Sequence, residues 1–109
     1  MEEINTIERF TQLKQKRTIF VFTANWCPDC SAIKPFLPML EIKYDRFQWA
    51  IINRDKFLTL GRDLDIFGIP SFIAYENGIE IGRFVSKLRK TKNEIESFLD
   101  TMIRRERHE

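Results

Sequence analysis

Thr18-Ile19-Phe20-Val21-Phe22-Thr23 runs directly into Ala24-Asn25-Trp26-Cys27-Pro28-Asp29-Cys30, and the character of the chain changes between the two stretches. The first is short, continuous, β-branched and aromatic, the pattern of a strand buried on both faces of a sheet; a parallel central strand is its natural reading. The second turns out of that strand over Ala24 to Cys27 and begins a helix, because Pro28 suits a first helical turn, where its missing N–H is no loss. Two cysteines three apart are thereby placed where a buried strand gives way to a helix.

Working outward, Ile4, Ile7, Phe10 and Leu13 recur every three residues and predict an opening amphipathic helix ending near Lys16-Arg17. After Cys30, the residues Ile33, Phe36, Leu37, Leu40 and Tyr44 follow at helical spacing, with Pro35 and Pro38 expected to kink or interrupt the helix. Phe47 to Ile52 reads as a second buried strand, and Asp55 to Leu64 as a short helix broken around Gly61. Ser71 to Tyr75 and Ile79 to Phe84 flank Glu76-Asn77-Gly78, and Asn-Gly between two strand-like runs is a strong hairpin signal. Thr91-Lys92-Asn93-Glu94 has the spacing of a capping box ahead of a last helix carrying Ile95, Phe98, Leu99, Met102 and Ile103. Residues 104–109 read as a charged tail. Strands crossed by helices, followed by a hairpin, predict an α/β fold: a mixed central sheet with parallel strands, a C-terminal antiparallel hairpin and helices on both faces.

The bulk properties narrow the function classes. A chain of 109 residues is one domain's length, and its 43% hydrophobic, 13% aromatic and 31% charged residues are a globular composition. Eighteen basic against sixteen acidic residues leave a net charge of +2, too small to point to nucleic acid. The basic stretch Arg83, Lys87, Arg89, Lys90 and Lys92 is expected to be a solvated loop before a helix. Met1-Glu2-Glu3 starts acidic rather than basic, and no run approaches the roughly eighteen apolar residues of a membrane span. A cytoplasmic protein with no membrane partner is expected. In a reducing compartment, a lone cysteine pair is more often catalytic or metal-binding than structural.

Chemistry concentrates on that pair. At the start of a helix, the Cys27 sulfur lies near unpaired backbone N–H groups and the positive end of the helix dipole, which favours thiolate, the nucleophilic form. Cys30, about one turn on along the same face, is close enough to close a disulfide. Cys27, nearer solvent, is expected to attack, and Cys30, inside the first turn, to resolve the mixed disulfide. Half a zinc site has the same spacing, but the only other soft donor is His108, at the far end of the chain. No metal is expected, and no cofactor beyond the redox-active Cys27–Cys30 disulfide itself.

The chain resembles the thioredoxin family almost from end to end. The resemblance rests on Ala24-Asn25-Trp26-Cys27-Pro28-Asp29-Cys30 after a buried strand, Pro35 five residues past the second Cys, Asn53-Arg54-Asp55 after the next strand, Gly68-Ile69-Pro70-Ser71, and Asn77-Gly78. It implies a thioredoxin-like fold in which Pro70 is cis beside the cysteines, Ile69 holds an extended target through its backbone, and Trp26 flanks the nucleophile. Trp49 reads as core only.

The chain departs from the family pattern in two respects. Members typically bury an Asp six residues before the first Cys, often with a Lys on the neighbouring strand; Val21 and Ile51 stand there in this chain. Pro28-Asp29 replaces the usual Gly-Pro between the cysteines, which modulates the reduction potential, about 30 mV corresponding to about 1.4 kcal/mol. By resemblance, the expected function is reduction of disulfides in cytosolic proteins, with an NADPH-dependent flavoprotein as electron donor and a narrower substrate range than an ordinary thioredoxin. The competing expectation, motivated by Val21 and Ile51, is a redox-sensing or peptide-binding adaptor with little turnover.

Overall fold

The computed structural model describes the backbone of residues 1–108 and the side chains of residues 1–104. Its elements are β1 (Glu2–Glu3), α1 (Ile7–Lys14), β2 (Thr18–Thr23), α2 (Pro28–Ile33), α3 (Leu37–Lys43), β3 (Gln48–Asn53), α4 (Leu58–Asp63), β4 (Ser71–Glu76), β5 (Ile79–Phe84) and α5 (Lys92–His108), with 3₁₀ turns at Lys34–Phe36 and Arg54–Lys56. The sheet order is β1-β3-β2-β4-β5. The β1–β3 and β3–β2 pairs are parallel, whereas β4 runs antiparallel to both β2 and β5. This is the mixed α/β sheet the sequence predicts.

β2 is central because all six of its residues are buried. Its alternation divides the core between two faces. Phe20 and Phe22 join Phe10, Leu13, Ile52, Ile73 and both cysteines on one side; Ile19 and Val21 join Leu40, Trp49, Phe72, Ile95 and Leu99 on the other. Phe10, Phe20 and Tyr75 pack ring against ring at 4.7–5.9 Å, pinning α1 to the sheet. Burying such side chains contributes roughly 1.5–3 kcal/mol each, so β2 is held firmly enough to anchor the turn that follows it.

The two prolines interrupt the second helical segment as expected: the 3₁₀ turn carries Pro35, and Pro38 lies in the first turn of α3. The hairpin turn has left-handed Asn77 (φ 54°) and Gly78 (φ 82°), the geometry an Asn-Gly turn requires. The capping box also forms, with Thr91 Oγ1 accepting from Glu94 N at 3.1 Å and Glu94 Oε1 accepting from Thr91 N at 2.9 Å.

Three local expectations are corrected and one strand is added. Ile4 is buried but precedes the opening helix; Thr6 caps that helix, its backbone N–H-accepting side chain bonding Arg9 N, and Ile7 is half exposed. Residues Glu2 and Glu3 form an edge strand that the pattern does not reveal, continued by Ile4 N donating to Ile51 O at 2.9 Å. Gly61 lies inside α4 without breaking it; the discontinuity falls at Phe57, where φ −134° and ψ 55° separate the 3₁₀ turn from the helix. The stretch from Arg104, read as a tail, continues α5 to His108.

Candidate functional site

Cys27 is the N-cap of α2, with extended backbone angles (φ −86°, ψ 111°), and its sulfur accepts the Cys30 N–H at 3.1 Å. The cap exists because Pro28 and Asp29 start the helix directly after it, so the third N–H points back at the capping side chain. The Cys27 thiol donates toward the Ile69 carbonyl at 3.8 Å. Both cysteines are free thiols. Cys27 is less accessible than its position at the strand-to-helix turn predicts, at 4% exposure against 0% for Cys30, but it keeps the open side of the pair.

Burial, followed by a hydrogen bond to Cys27, pushes the Cys30 thiol up to about 12 from an ordinary 9.0. A thiol whose folded pKa is raised keeps its proton in the native state after the unfolded chain has released it. Its contribution to stability is therefore complete below pH 9.0 and lost as pH climbs toward about 12. Urea unfolding of the reduced protein in that window should show a decline, on the order of 2–4 kcal/mol, that Cys30→Ser lacks. Parallel pH profiles for the two proteins would refute this.

The Ile69–Pro70 peptide bond is cis, and Ser71 Oγ donates to the Gly68 carbonyl behind it. Gly68 is needed for close approach: a Cβ there would lie 2.0 Å from the Ser86 carbonyl oxygen. The segment between β5 and α5 thus abuts the Gly68-Ile69 backbone that touches Cys27.

Trp26 is 62% exposed and fixed on its edge rather than by burial. Its indole Nε1 donates to Asp55 Oδ2 at 2.7 Å, and the Arg54 guanidinium lies 5.6 Å from the ring centroid. Trp26, Cys27, Arg54, Phe67, Ile69 and Lys87 are among the residues lining a shallow cleft of about 270 Å³. Phe67, also 59% exposed, is an apolar wall that sequence reasoning missed; no periodicity marks a single loop residue.

Asp29 is not free in solvent. Arg89 Nε donates to its Oδ1 at 2.7 Å, tying the β5–α5 segment to the first turn of α2 and setting a positive charge against the carboxylate beside the cysteines. Next to it, Lys90 contradicts the expectation of a solvated basic loop: the residue is 3% exposed. Its Nζ donates to Ser86 O and Ser86 Oγ, both at 3.1 Å, and to Leu88 O at 3.4 Å, and it stands 5.2 Å from the Phe84 ring centroid. Burial pulls the Lys90 pKa down, opposed by Cys30, Glu94, Asp29 and Cys27.

Val21 and Ile51 face each other across the β2–β3 register, with Val21 fully buried among aliphatic and aromatic neighbours. Trp49 is core, its Nε1 donating to the Tyr44 carbonyl at 3.2 Å. Among the described residues, no three His, Cys, Asp or Glu side chains converge as a metal site. The side chain of His108 lies outside the described residues.

Comparison with known proteins places this geometry. A family model described as Thioredoxin matches residues 3–101. The chain is 28% identical over 96 residues to "Thioredoxin-2, mitochondrial" of Schizosaccharomyces pombe, covering 84% of this chain and 72% of that protein. It is 29% identical over 84 residues to thioredoxin of Homo sapiens, covering 73% and 80% respectively. Among solved structures, a wild-type thioredoxin h of poplar is similar with a TM-score of 0.81, covering 94% of this chain and 95% of that one at 22% identity, a likeness of fold. With one model matching residues 3–101, the chain belongs to the thioredoxin family and is a protein-disulfide oxidoreductase.

Proposed function

We propose that the protein reduces disulfides of cytosolic protein targets, with Cys27 as nucleophile and Cys30 as resolving thiol. The observation that carries this division of labour is the asymmetry of the two sulfurs. Cys27 borders the cleft and accepts an N–H, whereas Cys30 is enclosed and holds its proton up to about 12.

In the first step, the Cys27 thiolate attacks one sulfur of the target; the target S–S bond breaks and the other target sulfur leaves as thiolate. That thiolate is the nearest new base, and it takes the proton that Cys30 does not release unaided. The Cys30 thiolate then attacks the Cys27 sulfur of the mixed disulfide and expels the second target thiolate, which is protonated from water. Two electrons have passed to the target, and the Cys27–Cys30 disulfide remains. An NADPH-dependent flavoprotein of the thioredoxin-reductase type would return the pair to the dithiol.

Trp26 and Ile69, the latter joined to Pro70 by the cis bond, hold the target in this reading, and Pro28 and Asp29 modulate the pair. Asp29 does so together with Arg89, whose charge it faces. The apolar Val21–Ile51 pair offers no local proton relay, which supports slower resolution and a narrower substrate range.

The test combines insulin reduction, driven by NADPH and a thioredoxin reductase, with capture by Cys30→Ser. Catalytic insulin reduction and covalent mixed disulfides with cytosolic proteins are the expected results. Reversible oxidation of the pair without reduction of insulin or any trapped target would favour a redox-sensing or peptide-binding adaptor instead. That second reading draws on the same apolar pair.

A further inference from the structure

We propose that the cleft beside Cys27 selects disulfide targets in which an acidic side chain stands within about two residues of the attacked cysteine, with Lys87 as the specificity-determining residue. The inference rests on the oxidoreductase reading and names its substrate class. It starts from the charges on the cleft wall, where Asp29, Arg54 and Lys87 are the ionisable side chains besides Cys27. Asp29 is answered by Arg89 at 2.7 Å. Arg54 has Asp55 beside it, but loosely: Nη2 stands 3.5 Å from Asp55 Oδ1, while the other carboxylate oxygen takes the Trp26 indole N–H at 2.7 Å. The buried Arg54 Nε has no acceptor among the described residues, so the donors of this guanidinium are only partly used. Lys87 is exposed, and no carboxylate among the described residues pairs with it. Once each acid is set against the arginine beside it, the lysine charge remains.

Lys87 is kept at the cleft by its two flanks. Ser86 lies so close to Gly68 that a Cβ there could not be accommodated, and Arg89 holds Asp29 in the first turn of α2. The backbone between them is anchored, while the lysine side chain can meet an incoming carboxylate. A cleft of about 270 Å³ is spanned by about two residues of extended chain, which advances about 3.3–3.6 Å per residue. A carboxylate that reaches Lys87 while its neighbouring sulfur reaches Cys27 therefore belongs to one short stretch of the target. Trp26 and Phe67, 62% and 59% exposed, are apolar walls of the same cleft. They fit a protein segment that brings apolar side chains together with the acid, rather than a small charged disulfide. The ion pair is solvent-exposed, so it biases encounter and orientation and is screened by salt.

The experiment follows the reduced full chain reacting with peptides that carry a single cysteine as its 2-pyridyl disulfide. Glu, Gln or Lys is placed in turn at each of the two positions on either side of that cysteine. The Cys27 thiolate bonds the peptide sulfur, the peptide–pyridyl S–S bond breaks, and pyridine-2-thione leaves with the bonding electron pair and is read by its absorbance. Cys30 then displaces the peptide thiolate. Each rate is divided by that of dithiothreitol with the same peptide, which removes the effect of the side chain on the disulfide's own reactivity. At the favoured position Glu should outrun Gln about two- to fivefold at low ionic strength and Lys should trail Gln, the differences fading in about 1 M salt. Lys87→Gln should remove most of the Glu-to-Gln ratio, and Lys87→Glu should invert it. Lys16→Gln makes the same change in net charge at the opposite end of β2 and should keep the ratio. Equal Glu and Gln rates at every position, a preference that survives Lys87→Gln, or one lost equally in Lys16→Gln overturns the proposal. Uniform rates in a chain that reduces insulin sink this inference alone; a chain that reacts with no peptide and reduces no insulin sinks the reading beneath it.

Discussion

Replacing Cys27 with serine is expected to abolish insulin reduction, by at least about a thousandfold, while leaving the thermal midpoint of the reduced protein almost unmoved. The two halves of that expectation come from the two jobs the sulfur does. As the N-cap of α2 it accepts the Cys30 N–H at 3.1 Å. Serine is among the preferred capping residues and accepts the same bond, so the helix keeps its start. As the proposed nucleophile, sulfur has no substitute in a serine hydroxyl, which is not ionised at neutral pH and has no adjacent general base in this site to activate it. Cys27→Ala separates the roles from the other direction: it is equally inactive but loses the cap, at a cost of about 1 kcal/mol. Reduction assays and thermal melts on both variants decide the matter. Undiminished turnover by Cys27→Ser would remove Cys27 from the chemistry, and equal melting of the serine and alanine variants would remove its capping role.

The parts of this molecule legible in the sequence are those with local signatures. β2, the Asn77-Gly78 turn and the Thr91–Glu94 box each state their geometry within six residues, through β-branching, a left-handed preference or a reciprocal pair of hydrogen bonds. Contacts between distant segments carry no such mark. Asp29 and Arg89 are sixty positions apart, and nothing around either residue announces the other. Lys90 is the sharper case, because the usual inference from lysine is exposure; only the folded segment reveals that its amine turns inward onto its own carbonyls. β1 escaped for a different reason. Two glutamates have low strand propensity and are too few for alternation, so their pairing with Ala50 and Ile51 is imposed by the open edge of β3. Ile4 kept the helical spacing of Ile7, Phe10 and Leu13 by coincidence, since an extended residue just before a helix can reach the same core.

Gly68→Ala should be the most damaging of the glycine-to-alanine replacements in this chain. The added Cβ would lie 2.0 Å from Ser86 O, 2.5 Å from Ser86 C and 2.8 Å from Lys87 N. All three are backbone atoms, so no side chain can rotate away; one of the two segments has to move. If Ser86 moves, Lys90 loses two of its three acceptors. If Gly68 moves, the Ile69 carbonyl shifts from Cys27 and the Ser71 hydroxyl loses its acceptor. Overpacking of this kind costs about 1–3 kcal/mol or more, which for a domain of this size lowers the melting temperature by on the order of 10 °C. Turnover should fall with it, because either displacement alters the wall of the cleft beside Cys27. Gly61→Ala is the control for glycine replacement as such. Its Cβ would meet the flexible Arg54 side chain, Cγ at 3.4 Å and Cδ at 3.8 Å, and it lies inside α4, where alanine is preferred by about 0.5–1 kcal/mol. Melting curves of the two variants should therefore move in opposite directions. A Gly68→Ala protein as stable as the parent would mean that the segment from Ser86 to Lys90 yields freely, and its fastening to the active site would have to be abandoned.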